Sequence, residues 1–345
     1  MAERPLRICV LSDGEPGHYN QSRGIVQALR LLGPVDDSWL DVRLRVGLAR
    51  TLLRRILNRN QAPRSLWPLR LAYRIDELPD VGYDLIVSAG GRTSFANAWL
   101  AAVLEVPNVY AGSLRGLSPG LFSVVLTLEP VPGAASNLVL SLPPSAIDAD
   151  QVEPLGHGFR LQLDGPDQRY WTLLLGGDGA GYRYARGDWL SLARLINTLA
   201  RWRDIRWLLV SSRRTGRHAE SLLRKHVDAT CVARACWYQG GDEYRAEAWL
   251  GAAERIFVTE DSMTMLAEAA CARRPVHSLC AASAAPDQRY EKALQRFAAQ
   301  GWLCRHPIAE LADKPETLDA QRCRALAASP TQWLAEQLRQ RLGLG

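Results

Sequence analysis

Short apolar segments that end in small or polar loops, each followed by a helical pattern, recur along the whole chain. The first half contains Ile8 to Leu11 and Leu85 to Ser88, and the second half contains Thr172 to Leu175, Trp207 to Val210 and Arg255 to Val258. This alternation of strand and helix predicts parallel α/β sheets. A chain of 345 residues is too long for one typical domain, and its 47% hydrophobic residues can supply two cores. We therefore predict two α/β domains.

A Pro-, Gly- and Asp-rich interval from Pro143 to Asp167 separates the two runs of this pattern. Such an interval is typical of a connection between domains. We therefore place one domain at residues 1–150 and the other at 151–328, followed by a C-terminal helix over 329–345.

The expected compartment follows from the N-terminus and the cysteines. The chain begins without the apolar core or cleavage site of a signal peptide, and none of its apolar runs approaches the roughly 20 residues that cross a bilayer. Seven scattered cysteines argue against a disulfide framework and favour a reducing compartment. We expect a cytoplasmic protein that could contact the inner face of the cytoplasmic membrane only peripherally.

Three polar loops follow the strand-like segments of the second half. Ligands of open α/β sheets bind outside the carboxyl ends of the strands, so these loops are predicted to line one site. Glycine allows close approach of the backbone, and paired arginines suit an anion. Neither a Walker motif nor a Rossmann fingerprint in its usual place is present, which disfavours ATPases and NAD-dependent oxidoreductases. The candidate phosphate-binding residues are Gly176, Gly177, Ser211, Ser212, Arg213, Arg214, Thr259, Glu260, Asp261, Ser262, Met263 and Thr264.

The third of these loops precedes a predicted helix. Asp261 or Ser262 can cap that helix, which would turn its first N–H groups and the positive end of its dipole toward phosphate oxygens. An ordinary helix cap is the alternative. Glu268 and Pro275 favour nucleotide binding, because a carboxylate one to two turns into this helix can accept hydrogen bonds from ribose hydroxyls.

The first loop of the first half carries an imidazole beside two carboxylates. His18 lies near Asp13 and Glu15, and either His18 or Asp13 could act as a general base toward a hydroxyl. The alternative is that these side chains only satisfy backbone groups of ordinary loops. The residues predicted to bind the molecule that carries the hydroxyl are Gly17, Gln21, Gly91 and Arg92.

Residues 43–74 form a basic segment with nine arginines and no acidic residue. Apolar residues recur at helical spacing from Leu48 to Leu57, with the arginines off that stripe. This helix could rest on an anionic membrane, or pack its stripe on the domain with the arginines in water. Trp67 and Tyr73 are side chains of the interfacial type and favour membrane contact. No nucleic-acid-binding motif is present, so nucleic acid is not an expected partner.

Four groups of residues, spread over the chain, resemble in sequence and order a family of bacterial and plant proteins named after a plant mitochondrial-fission factor and called ELM-like. These groups are Leu11 to Gly14 with Pro16 to His18 and Asn20 to Gln21, Leu174 to Gly177, Ser211 to Thr215, and Val258 to Met265 with Glu268 to Ala269. The resemblance implies a GT-B-like fold, in which two Rossmann-like domains face a cleft. The first domain would bind an acceptor and the second a nucleotide sugar.

The last group is also similar in spacing to the donor site of MurG-like glycosyltransferases. In those enzymes a loop at a helix start binds diphosphate, and a glutamate seven residues before a proline binds ribose. Glu268 and Pro275 keep that interval. Ser262 stands where those enzymes usually have glycine, and the segment from Gly241 to Tyr244 replaces the Asn-Pro-Tyr of the ELM-like family.

The resemblance implies a metal-independent glycosyltransferase that moves a sugar from a nucleotide sugar to a cell-envelope glycan or a lipid-linked acceptor, without a cofactor. Two alternatives stay open. One is a nucleotide-sugar epimerase of the same fold, and the other is a non-catalytic adaptor, as the role of the plant relatives in recruiting fission machinery suggests. Asp148 and Asp150 match an Asp-x-Asp string, but they lie in the expected linker, so no metal site is predicted.

Overall fold

The computed structural model describes residues 4–45, 49–59, 65–75, 82–163, 167–320 and 322–344. It divides into two compact units: unit 1 comprises Met1–Ala146 and Pro330–Gly345, and unit 2 comprises Ile147–Ser329. Of the basic segment, residues 46–48 and 60–64 lie outside the described residues.

Unit 1 is built around one β-sheet. Its strands are β1 (Leu6–Ser12), β2 (Val35–Leu44), β3 (Tyr73–Ile75), β4 (Leu85–Ala89), β5 (Asn108–Ala111), β6 (Val124–Thr127) and β7 (Asn137–Val139). Its first four helices are α1 (Pro16–Arg30), α2 (Ala49–Asn58), α3 (Trp67–Ala72) and α4 (Ser94–Leu104), with a 3-10 turn at Pro119–Leu121. The strand order is β3-β2-β1-β4-β5-β6-β7. All neighbouring strands run parallel except the β2–β3 pair.

Unit 2 repeats this architecture. Its strands are β8 (Arg169–Leu175), β9 (Tyr182–Arg183), β10 (Ile205–Ser211), β11 (Val232–Cys236), β12 (Arg255–Thr259), β13 (Val276–Cys280), β14 (Ser283–Ala284) and β15 (Cys304–Pro307). Its helices are α5 (Ala149–Arg160), α6 (Arg186–Arg203), α7 (Gly216–His226), α8 (Ala246–Ala252), α9 (Met263–Cys271), α10 (Gln288–Ala299) and α11 (Ile308–Asp313), with 3-10 turns at Ala229–Cys231, Tyr238–Gly240 and Pro315–Ala320. A parallel sheet has the order β11-β10-β8-β12-β13-β15, and β9 pairs with β14. The chain then returns to unit 1 with α12 (Pro330–Leu342).

Unit 1 has a hydrophobic core on each face of its sheet, and successive side chains of β1 point into the two cores in turn. Ile8 and Val10 pack with buried residues of α1 and α12, whereas Cys9 and Leu11 pack with buried residues of α2 and α4. Successive strand residues point to opposite faces, so a strand that is covered on both sides reads as one continuous apolar run. This is why β1 and β4 could be recognised in the sequence.

Buried aromatic rings fill the centre of unit 2. Trp207, Trp171 and Phe257 lie on the neighbouring strands β10, β8 and β12, and the ring centroids are 5.7 Å apart for the two tryptophans and 5.4 Å apart for Trp171 and Phe257. Such pairs contribute about 0.5–1.5 kcal/mol each beyond their buried area. These aromatic pairs therefore help to hold the three neighbouring strands of the sheet together.

Several predictions made from the sequence can be compared with this fold. The prediction of two Rossmann-like α/β domains is confirmed. Among the described residues, no helix is both long and apolar enough to cross a membrane. Asp148 caps α5 by accepting a hydrogen bond from the N–H of Asp150. A disulfide joins Cys304 and Cys323.

Candidate functional site

Each sheet has one point at which its strand order reverses. In unit 1 this point lies between β1 and β4, and in unit 2 it lies between β8 and β12. The loops that follow the strands on either side of such a point diverge and leave a crevice, which is where open α/β sheets bind ligands. The predicted loops of both halves of the sequence follow these strands.

Two glycines after β8 let the loops of unit 2 touch. A Cβ atom on Gly176 would lie 2.2 Å from Oδ2 of Asp261, and one on Gly177 would lie 2.0 Å from the carbonyl oxygen of Arg214. The N–H of Gly176 donates to Oγ1 of Thr259 at 2.6 Å. Any side chain at either glycine would push the loops apart.

The carboxylate of Asp261 connects all three loops of unit 2. Its Oδ2 accepts a hydrogen bond from the N–H of Gly177 at 3.1 Å and one from Nη2 of Arg214 at 2.5 Å. Burial raises the pKa of Asp261, and this effect exceeds the lowering by the Arg214 charge. An ionised carboxylate would repel a phosphate, so Asp261 is not suited to bind one directly. Its position below the loop surface suits it to hold Arg214 and Gly177 in place.

The helix start after β12 has the predicted cap. Oγ of Ser262 accepts a hydrogen bond from the N–H of Met265, and α9 begins at Met263. The first N–H groups of a helix have no partner within the helix, and here the backbone of Met263 hydrogen-bonds to the Tyr290 hydroxyl. Glu268 lies further along the same helix, largely buried.

Two of the predicted phosphate-binding side chains face the interior of unit 2 instead. Glu260 is fully buried and accepts hydrogen bonds from Tyr182, Ser278 and Arg305. Ser211 donates to Glu220 at 2.6 Å. These side chains stabilise the loops from below.

The loop after β10 presents its arginines at the surface. Arg213 and Arg214 are exposed, and Ser212 is half-buried between them and the sheet. The N–H of Ser212 donates to Oγ1 of Thr215 at 2.9 Å, and the same hydroxyl contacts the carbonyl oxygens of Leu175 and Gly176. Thr215, which was not among the predicted site residues, therefore orders this loop against the one after β8. A hydroxyl four residues beyond a strand end is the only sequence signal for it.

Asp13 and His18 form a hydrogen-bonded pair in unit 1. Nδ1 of His18 lies 3.0 Å from both carboxylate oxygens of Asp13, whose side chain is 2% exposed, against 36% for His18. Burial raises the pKa of Asp13, but the hydrogen bond and charge of His18 outweigh it, so the pKa is lowered. An ionised carboxylate only accepts hydrogen bonds, so Nδ1 carries the proton and Nε2 is left as the basic nitrogen. This is the geometry of an oriented general base.

Gly90, at the end of β4, makes room for this pair. A Cβ atom at Gly90 would lie 2.2 Å from Nδ1 of His18, and the residue has a φ of +91°. The predicted Gly91 plays a different part, because its Cβ position is 2.4 Å from Nε of Arg115. Gly91 was among the predicted acceptor-binding residues, whereas Gly90 was not. Two consecutive glycines after a strand were the available signal.

A pocket of about 480 Å³ opens beside the Asp13 loop. It is lined by Asp13, Gly14, Val42, Arg43, Leu44, Arg50 and Arg92. Arg92 was predicted to bind an acceptor, whereas Arg43 and Arg50 were assigned only to the basic segment. The predicted Gly17 and Gln21 lie on α1 and outside this lining.

One group of potential metal ligands occurs in the described ranges, and it lies away from these loops. It consists of His277, Cys304 and Cys323, of which the two cysteines are bonded to each other.

Comparisons with known proteins agree with this architecture. The family model described as mitochondrial fission ELM1 matches residues 16–342. A search of curated proteins finds no match.

Among solved structures, the chain is similar to UDP-GlcNAc 2-epimerase from Methanocaldococcus jannaschii, with a TM-score of 0.57 and 14% identity over 99% of this chain and 100% of that one. It is also similar to the S. aureus MnaA-UDP co-structure, with a TM-score of 0.55 and 12% identity over 99% and 98% of the two chains. For MurG from Acinetobacter baumannii the TM-score is 0.54, with 14% identity over 98% and 99%. At these identities the likeness shows the fold, which is the two-domain GT-B architecture.

Proposed function

The chain belongs to the mitochondrial fission ELM1 family and has the GT-B fold, and we propose that it is a glycosyltransferase with a nucleotide-sugar donor. The observation that carries the proposal is the junction of three loops at the switch point of unit 2, where Asp261 joins the glycine loop to Arg214. The junction holds Arg214 in place, and Arg213 lies beside it at the surface, so together they supply the positive charge that suits a diphosphate. The S. aureus neighbour, a complex with UDP, supports the same choice of ligand.

The residues of unit 2 would stabilise the leaving group. When the bond between the anomeric carbon and the phosphate oxygen breaks, the electron pair stays on the diphosphate. The N–H groups at the start of α9, around Met263 and Thr264, and the Arg213 guanidinium would stabilise that charge in place of a metal ion. Glu268 would accept a hydrogen bond from a ribose hydroxyl. No cofactor enters this reaction.

The residues of unit 1 would activate the acceptor. Nε2 of His18 takes the proton of the acceptor hydroxyl as its oxygen forms the new glycosidic bond, and Asp13 stabilises the resulting imidazolium. Because the Asp13 side chain is buried and His18 is partly exposed, His18 is the base and Asp13 orients it. The acceptor would be a glycan of the cell envelope or a lipid-linked sugar.

Peripheral contact with the cytoplasmic membrane belongs to this proposal. Leu53 and Leu57 of α2 are buried in the core, so this part of the predicted apolar stripe is covered by the domain. Leu52, Trp67 and Leu71, in contrast, are 62%, 68% and 60% exposed. Exposed apolar and aromatic side chains beside arginines are the composition that binds an anionic membrane surface.

The test is a thermal-shift panel of UDP-, GDP-, CMP- and dTDP-sugars with the full chain. One donor should raise the melting temperature, and Glu268→Ala or Arg213→Ala should abolish that shift. Arg217→Ala is the matched control, because Arg217 is an exposed arginine at the start of the following helix and its side chain donates to Gln239. No shift with any nucleotide sugar would contradict the proposal and favour a non-catalytic adaptor.

The same protein should then be incubated with the donor that binds. Release or transfer of the sugar agrees with a glycosyltransferase, whereas recovery of an epimerised nucleotide sugar would identify an epimerase of the same fold.

A further inference from the structure

The pocket beside Asp13 is surrounded by three guanidinium groups from three separate elements. Arg43 lies on β2, Arg50 in the first turn of α2 and Arg92 in the loop after β4. Residues this far apart in sequence meet because β2 and β4 flank β1 in the sheet. The register pairs Ser12 with Asp41, which places Arg43 just beyond the carboxyl end of β1.

The positive charge of this pocket is only weakly neutralised by the protein. Arg43 lies 3.8 Å from Asp41, and Arg92 lies 3.5 Å from Glu15, which are long separations between exposed groups. Arg50 forms no ion pair within the described parts of the chain. Exposed pairs of this kind contribute little energy, so an incoming anion can displace them easily.

The arginines form the anion-binding end of the pocket, because an anion is repelled by Asp13 and attracted to them. His18 hydrogen-bonds to Asp13 and lies outside the lining of the pocket. The volume of about 480 Å³ is that of a small-molecule site. Planar guanidinium groups donate paired hydrogen bonds that match phosphate oxygens.

We propose that Arg43, Arg50 and Arg92 bind a phosphoryl group of the acceptor, which is therefore a phosphorylated molecule. This inference rests on the proposed function and specifies the chemical class of its second substrate. The phosphoryl group is held at the arginine end while the reacting hydroxyl lies near His18.

The test uses calorimetric titration of inorganic pyrophosphate into the full chain. The double substitution Arg43→Gln with Arg50→Gln should weaken binding by at least about tenfold, because each lost charge-assisted hydrogen bond to phosphate is a strong one. The control is Arg23→Gln with Arg339→Gln, which removes the same charge from exposed positions of unit 1 outside the pocket. If the pocket pair proves poorly folded, Arg92→Gln alone provides the same comparison.

Three results would overturn the inference: equal weakening by both pairs, no weakening by the pocket pair, or no binding by the unsubstituted protein. Arg213→Gln separates this site from the donor site. If that change alone removes pyrophosphate binding, the inference is wrong while the proposed function stands. If no nucleotide sugar binds but the substitutions of the pocket pair still weaken pyrophosphate binding, the proposed function is wrong while phosphoryl binding by the three arginines stands.

A second comparison identifies the source of the phosphoryl group. A sugar 1-phosphate tests a soluble acceptor, and neutral phosphatidylcholine vesicles with and without polyprenyl phosphate test a lipid-linked one. Binding to either that is lost in the pocket pair supports the inference. Equal loss of vesicle binding in both charge-matched pairs would show an effect of overall charge and contradict it.

Discussion

Replacing Asp261 by asparagine should weaken nucleotide binding without destabilising the protein. Burial raises the folded-state pKa of Asp261 above the unfolded value. At neutral pH the ionised carboxylate therefore destabilises the folded protein. This destabilisation is lost as the pH falls through the folded-state pKa and the carboxylate is protonated. Asparagine carries no charge and removes this cost. Its amide oxygen can still accept the hydrogen bond from Gly177.

The substitution also removes the ion pair between Asp261 and Arg214, and this loss destabilises the folded protein. The Arg214 side chain is 40% exposed, so solvent screens the pair and its removal costs about 1 kcal/mol rather than the several of a fully buried pair. Because burial outweighs the Arg214 charge at this carboxyl, the substitution should not lower the melting temperature by more than about 4 °C. Without the Asp261 carboxylate, Arg214 and the glycine loop are no longer held to the same group. This should weaken nucleotide-sugar affinity about tenfold, or ~1.4 kcal/mol.

Three measurements check this prediction. Differential scanning fluorimetry over a series of acidic pH values should show that the substitution removes the stabilisation that protonation of Asp261 contributes as the pH falls. Hydrogen exchange of residues 176–178 and 212–215, without ligand, should become faster. Asp178→Asn is the control, because Asp178 is exposed in the same loop and accepts a hydrogen bond from the N–H of Tyr184. Unchanged exchange and affinity, or a large fall in melting temperature at pH 7, would refute the reasoning.

Two further changes test unit 1. Gly90→Ala should reduce transfer about 100-fold by displacing the His18 base, with donor binding unchanged. Gly133→Ala has a similar positive φ but open space around it, so it should cost only the backbone strain. Trp67→Glu should lower sedimentation with anionic liposomes, whereas Trp202→Glu, an exposed tryptophan of unit 2, should not. Equal effects in either pair would contradict the assigned role.

The sequence was sufficient for features that depend on local pattern. Buried parallel strands read as apolar runs, and the loops that follow them contain the Asp13–His18 pair and the Asp261 junction. Both loops follow the carboxyl ends of parallel strands, and that position could be expected from the alternation of strands and helices.

Features that depend on pairing between distant segments could not be predicted. Arg43 and Arg50 reach the Asp13 loop only through the position of β2 beside β1, and the contact of Gly90 with His18 requires β4 on the other side. The orientation of Glu260 also could not be predicted, because adjacent residues of one loop can point in opposite directions. Its partner Arg305 comes from a strand two positions away in the sheet.

The return of α12 to unit 1 has a consequence for synthesis on the ribosome. Leu334 and Leu338 cover the sheet face that contains Ile8 and Val10, yet they follow the whole of unit 2 in the chain. Unit 2 is contiguous, so all of its residues have emerged before that face can be covered. Until then α1 alone packs on this face of the nascent N-terminal sheet, and the part that α12 will cover stays exposed to chaperones or to premature association.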